Sequence, residues 1–161
     1  MIIVSNSTPL IAFSRIGQMD LLRSITGRLY IPQEVANEIS EYGKNKNKSI
    51  NLKDYNWIQI KKVKEGDKTD FLLPSLDKGE AEVILLALEM RAPMVLIDEL
   101  SGRKVAEYFG LNIIGSAGIL LKAKATHQIN AVKPYLDDMI SKGIRYSERF
   151  YKSFLNEIGE L

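Results

Sequence analysis

Cysteine is absent from the 161 residues, and with it go disulfides, thiolate metal sites and cysteine nucleophiles. Histidine occurs once, as His127, so one chain can assemble neither a histidine zinc site nor a two-histidine catalytic pair. No apolar run approaches the roughly twenty residues that span a bilayer. Asn6, Ser7 and Arg15 interrupt the apolar N-terminal stretch, so a cytoplasmic protein with no membrane partner is expected. The formal charge of +2 is too small to argue for a polyanionic partner, and it does not oppose one. What chemistry remains must use carboxylates, hydroxyls, lysines or arginines. Oxygen donors of that kind favour Mg2+ or Mn2+.

What is present alternates. Met1-Ile-Ile-Val-Ser5 reads as a buried strand, and Ser7-Thr8-Pro9 opens a helix with Thr8 as N-cap and Pro9 at its first position. A second helix over 19–25, a strand over 29–31 and a helix from Pro32 to Gly43 follow. The basic, apolar-poor segment Gly43 to Asn51 reads as a mobile loop or a polar helix tip. Residues 57–63 read as a strand and 66–74 as a connection of undefined form. Asp77 to Arg91 has Ala81, Ile84, Leu85 and Leu88 at helical spacing. Strand 94–98, helix 101–109, strand 111–114 and helices over 117–126 and 131–142 complete the body. The alternation predicts an α/β fold, a three-layer α/β/α sandwich with a mostly parallel central sheet. One domain over 1–161 is expected, with about 143–161 as a helical extension whose Phe150 and Phe154 meet either a second copy or the chain's own body.

The acids carry the chemistry. Met94-Val-Leu-Ile97 ends in Asp98, and Glu80 stands eighteen residues earlier in Asp77-Lys-Gly-Glu-Ala-Glu82. An acid at the end of a buried strand and another on the preceding helix converge at the rim of a sheet, where a hard cation binds. The first strand ends in Asn6 in place of an acid. Each residue has an ordinary reading as well: Asp77 and Asp98 as helix caps, Glu38 on a solvated helix face, Asn6 in a turn. Together they crowd charge where a structural core has little use for it.

At this point four stretches resemble a known family. Asn6-Ser-Thr8-Pro-Leu-Ile11, Ile31-Pro-Xaa-Xaa-Val35-Xaa-Xaa-Glu38, Gly79-Glu-Ala-Glu82 and Leu96-Ile-Asp98 look like the motifs of PIN-domain proteins. The Gly102 to Ala106 stretch resembles an uncharacterised prokaryotic branch related to toxin–antitoxin ribonucleases. The resemblance implies a PIN-like fold and a Mg2+- or Mn2+-dependent ribonuclease. It also implies RNA as substrate, a small antitoxin protein as partner and a homodimer. By position it puts the metal on Asn6, Glu80 and Asp98, catalysis on Glu38, Glu80 and Asp98, and a supporting hydroxyl on Thr8.

Asn6 departs from that pattern, since its amide offers a carbonyl oxygen and no charge. Glu99, Glu82 and Ser7 are close enough in sequence to compensate. The alternative is a catalytically impaired PIN-like module that binds nucleic acid or protein. Arg15, Arg103 and Lys104 are the candidates for RNA phosphate contacts.

Overall fold

Apolar runs that must be covered on both faces become the inner strands of a parallel sheet. These are β1 (Ile3–Ser5), β2 (Leu29–Pro32) and β4 (Met94–Leu96); the wetter edges are β3 (Ile58–Lys61) and β5 (Asn112–Ile114). The computed structural model describes residues 1–46, 50–64 and 76–161. Within them every strand pairing is parallel, in the order β3-β2-β1-β4-β5. Strand order therefore reverses between β1 and β4, and the crevice beyond their carboxyl ends is where open α/β sheets bind ligands. The Asn6 N–H extends that pairing by donating to the Leu96 carbonyl at 2.9 Å.

Eight helices among the described residues flank the sheet and give the α/β sandwich. They are α1 (Ser7–Arg15), α2 (Met19–Thr26), α3 (Gln33–Lys46), α4 (Lys78–Glu89), α5 (Leu100–Tyr108), α6 (Ser116–Ala125), α7 (Lys133–Ser141) and α8 (Glu148–Glu157). Helix α4 lies against β1, β2 and β4 and buries Ala81, Val83, Ile84, Leu86 and Ala87. A helix apolar on most of its circumference belongs inside, and this one carries Glu80 inside with it.

The boundaries differ from expectation in two places. Helix α1 starts at Ser7 with Asn6 as its N-cap residue, because the Thr8 hydroxyl bonds elsewhere, to Glu99. Pro9 still falls in the first turn, where its missing N–H costs nothing. Helix α3 runs on through residues 43–46, past Gly43. Of the Gly43 to Asn51 segment, residues 47–49 lie outside the described residues, as does the connection over 66–74.

The extension folds back on its own body. Leu155 is fully buried, the Tyr151 hydroxyl donates to Asp137, and Tyr146, Phe150 and Phe154 stack with centroids 5.7 and 5.5 Å apart. Glu160 closes the tail: its carboxylate accepts from the backbone N–H groups of Val132 (3.0 Å) and Lys133 (2.9 Å) and from the Lys124 ammonium (2.8 Å). It thus caps α7 from a distant part of the chain. Replacing Glu160 by Ala is expected to cost about 1–2 kcal/mol, the scale of a lost helix cap, read as a lower urea midpoint with an unchanged slope.

Candidate active site

The residues that end β1 and open α1 set the site. Three in a row donate hydrogen bonds to acids from other elements. Asn6 Nδ2 donates to Glu99 Oε2 at 3.0 Å, Ser7 Oγ to Glu38 Oε2 at 2.8 Å, and the Thr8 hydroxyl to Glu99 Oε1. Glu38 arrives from α3. Glu99 occupies the N-cap position of α5, directly beyond β4. Glu80 comes from the first turn of α4, where Asp77 accepts the Glu80 N–H at 2.8 Å and Ser101 Oγ donates to Glu80 Oε2 at 3.1 Å. Helix N-termini converge here, and their positive ends favour negative charge.

Glycines leave room for these carboxylates. A Cβ on Gly79 would meet Glu38 Oε1 at 2.1 Å, and one on Gly102 would meet Glu80 Oε2 at 2.8 Å. Gly115 plays the same part for Asp98, whose Oδ1 would lie 2.7 Å from such a Cβ. Asp98 faces α6: Ser116 N–H donates to its Oδ1 at 2.7 Å and Ser116 Oγ to its Oδ2 at 2.5 Å. Both oxygens thus hold the end of β4 to the start of α6. The acid that faces Asn6 and Thr8 is its neighbour, Glu99.

The electrostatics follow from burial and crowding. Burial, then the adjoining Asp77 carboxyl, pushes Glu80 up to about 7. Burial raises Glu38 against the pull of the Ser7 hydrogen bond, with the charges of Asp77, Glu34 and Glu99 adding to the rise. Burial likewise raises Asp98, and the bonds from Ser116 oppose it. The charge of Glu99 is among the raising causes for all three. Tyr146, from the extension, is half-buried beside Asp98 and Ser116, and burial followed by the Asp98 charge lifts its hydroxyl above the ordinary range.

The family model described as PIN domain matches residues 2–160. The chain belongs to the PIN-domain family. PIN domains form a nuclease superfamily whose members generally use divalent metals and bind RNA. No curated protein matches this PIN domain in sequence.

Two observations bear on whether its residues suit a divalent cation. Among the described residues, no three Asp, Glu, His or Cys side chains converge as a ready ligand set. Asn6 Oδ1, however, is buried with no hydrogen-bond partner, and its amide lies against Glu99, whose charge raises Glu38, Glu80 and Asp98. An orphaned acceptor and crowded acids are both relieved by one hard cation. The donor set is all oxygen, which suits Mg2+ or Mn2+.

The remaining candidates separate. Arg15 Nη1 donates to the Lys142 carbonyl at 2.5 Å, and its guanidinium lies 4.7 Å from the Tyr42 ring centroid, so it ties α1 to the chain after α7 and to α3. Arg103 Nη1 donates to the Ile97 carbonyl at 3.0 Å, facing inward beside Asp98. Lys104 is exposed. Glu82 accepts from the Glu34 N–H at 3.3 Å and stands with α3. Sequence reasoning missed the central place of Glu99 and the Gly115-Ser116 clamp. The available signal was the adjacent pair Asp98-Glu99, of which one strand end can aim only one acid at a given point.

Raised carboxylates have a signed consequence. The folded state holds the Glu80 proton to about 7, whereas the unfolded chain releases it near 4.5. Between those values the unfolded state binds fewer protons, so the Glu80 contribution to stability is fully present below about 4.5 and is lost as pH rises toward 7. Urea unfolding in EDTA should show that loss, and Glu80→Gln should flatten it and be more stable than wild type at pH 8.

Proposed function

We propose that this PIN domain is a divalent-metal-dependent endoribonuclease. The single observation carrying the proposal is the buried, unpartnered Asn6 Oδ1 set among crowded carboxylates at the switch point of the sheet. Asn6 Oδ1, Glu80 and Glu99 are the residues that would hold a Mg2+ or Mn2+ ion, with Asp98 holding the strand end that presents Glu99. When bound, such an ion lowers the pKa of water and offsets charge on the scissile phosphate.

The chain's own residues supply the rest. Glu38, raised by burial and fixed by Ser7, is the base that takes the proton from the attacking water. Water adds to phosphorus in line with the leaving ribose oxygen, the P–O bond to that oxygen breaks, and the departing oxygen takes a proton from solvent. Thr8 and Asn6 keep Glu99 from swinging away as charge builds. Asp98 acts as a positioning residue through Ser116 and the β4–α6 contact. The toxin role implied by the family resemblance, with a small antitoxin and a homodimer, belongs to this proposal as well.

A second reading is favoured by one feature: the Asn6 amide satisfies Glu99 without a cation, as suits a module that binds nucleic acid or protein but does not cut. A pool of structured and single-stranded RNA, incubated with Mn2+, Mg2+ or EDTA, separates the two. Metal-dependent cleavage that drops at least about a hundredfold in Glu80→Gln is expected for removal of a charged ligand. Folded wild type that cuts no faster than that variant moves the assignment to the binding module. Asn6→Asp should tighten Mn2+ on the order of tenfold in calorimetry, since affinity of oxygen sites follows ligand charge.

Gly79 gives an independent handle on Glu38. The atoms that a Gly79→Ala methyl would strike are the end of a flexible side chain, so Glu38 moves and the helix stays. The melting temperature should change little or fall slightly, because the about 0.5–1 kcal/mol that Gly→Ala gives a helix offsets only part of the strained Ser7–Glu38 bond. Cleavage should fall about a hundredfold, the scale of a misplaced catalytic group. Normal cleavage in that variant would refute this placement of Glu38.

A further inference from the structure

Beside the acids, one side of α5 has no role in the packing. Leu100 follows Glu99 directly, and Leu100, Lys104 and Tyr108 recur every four residues, so they share that side of the helix. All three are exposed, Leu100 to 66 % and Tyr108 to 85 %. The inner side is different: Gly102 and Ala106 are buried and Arg103 turns in to the Ile97 carbonyl. The Tyr108 ring meets Phe109 edge-on, centroids 5.3 Å apart at 89°, which leaves ring face open to water. The backbone beneath the pair is fixed, with Phe109 N–H donating to Val105, Gly110 to Glu107 and Leu111 to Ala106 at 2.9–3.2 Å. Little freedom remains to be lost when something stacks on that ring.

We propose that the Leu100–Lys104–Tyr108 side of α5 is where single-stranded RNA lies as it enters the site, one base stacking on Tyr108 and a phosphate sitting beside Lys104. The stripe begins at the residue next to Glu99 and runs about 12 Å along the helix axis, so a strand laid on it leads into the acids. A lysine set between two apolar side chains suits a polyanion with stackable bases. It suits the core of a protein interface poorly, because lysine is depleted there. Glu107, exposed and three residues beyond Lys104, borders the same side of α5, so the phosphate sits on the side of Lys104 away from it. The inference rests on the ribonuclease reading for its ligand class, and what it adds is the surface.

The test is fluorescence anisotropy with a labelled single-stranded oligouridine and a duplex RNA of equal length, in EDTA so that nothing is cut. Tyr108→Ala should weaken single-strand binding about tenfold, the scale of one lost base–aromatic stack. It should leave duplex binding unchanged, and Tyr108→Phe should bind as wild type. Lys104→Ala should weaken binding by a few-fold and reduce the salt slope by about 0.7, the value of one phosphate contact on a single strand. A Tyr108→Ala protein that binds the oligouridine as wild type does overturns the proposal while leaving the ribonuclease reading intact. So does unchanged RNA binding with a switch from dimer to monomer in light scattering, which assigns the stripe to a second copy. Wild type that binds neither RNA removes the ribonuclease reading and this one with it.

Discussion

Everything at the site depends on keeping several carboxylates together under cover. Two like charges about 5 Å apart repel by about 3 kcal/mol at an effective dielectric near 20. A hydrogen bond to a charged group returns about 1.5–3 kcal/mol. Donors and repulsion are thus of one size, and the arrangement holds only if each acid has its own donor. Ser7 serves Glu38, Ser101 serves Glu80, Ser116 serves Asp98, and Asn6 with Thr8 serves Glu99. Burial raises the carboxyls of Glu38, Glu80 and Asp98, and the charge of Glu99 adds to each rise.

The parallel sheet is what makes such a gathering possible. Every crossover returns a helix N-terminus to the carboxyl edge, so α1, α4, α5 and α6 all begin where strands end. Their short polar first residues become the donors. Gly79, Gly102 and Gly115 then let neighbouring carboxylates lie against the backbone at distances that a side chain would forbid. Order in the core and crowding at the rim come from the same topology: α4 buries its apolar length against β1, β2 and β4 and carries Glu80 to the crevice.

Most of the fold was legible because its signals are local. Runs such as Met94-Val-Leu and the apolar spacing of α4 announce buried strands and helices, and alternation of the two announces a parallel sheet. The family was legible in four short stretches, and the matched family model spans them all. The site was legible only in part. Asn6 and Thr8 both bond Glu99, Ser7 bonds Glu38, and Glu80 is buried in the first turn of α4 with Ser101 as its donor. Which of Asp98 and Glu99 faces them turns on the path of one residue after β4, and no pattern of apolar spacing fixes that. The carbonyl contacts of Arg15 and Arg103, to Lys142 and Ile97, were illegible for a similar reason, since backbone carbonyls have no sequence signature.

Asn6 changes what a cation is needed for. An acid at that position would face Glu99 at hydrogen-bond distance, and two carboxylates so placed need a proton or a metal between them. The amide removes the conflict by turning one of the facing atoms into a donor. Glu99 is therefore held by hydrogen bonds from Asn6 and Thr8. The same substitution leaves Oδ1 buried with nothing to bond, so the amide that stabilises Glu99 also leaves one acceptor waiting.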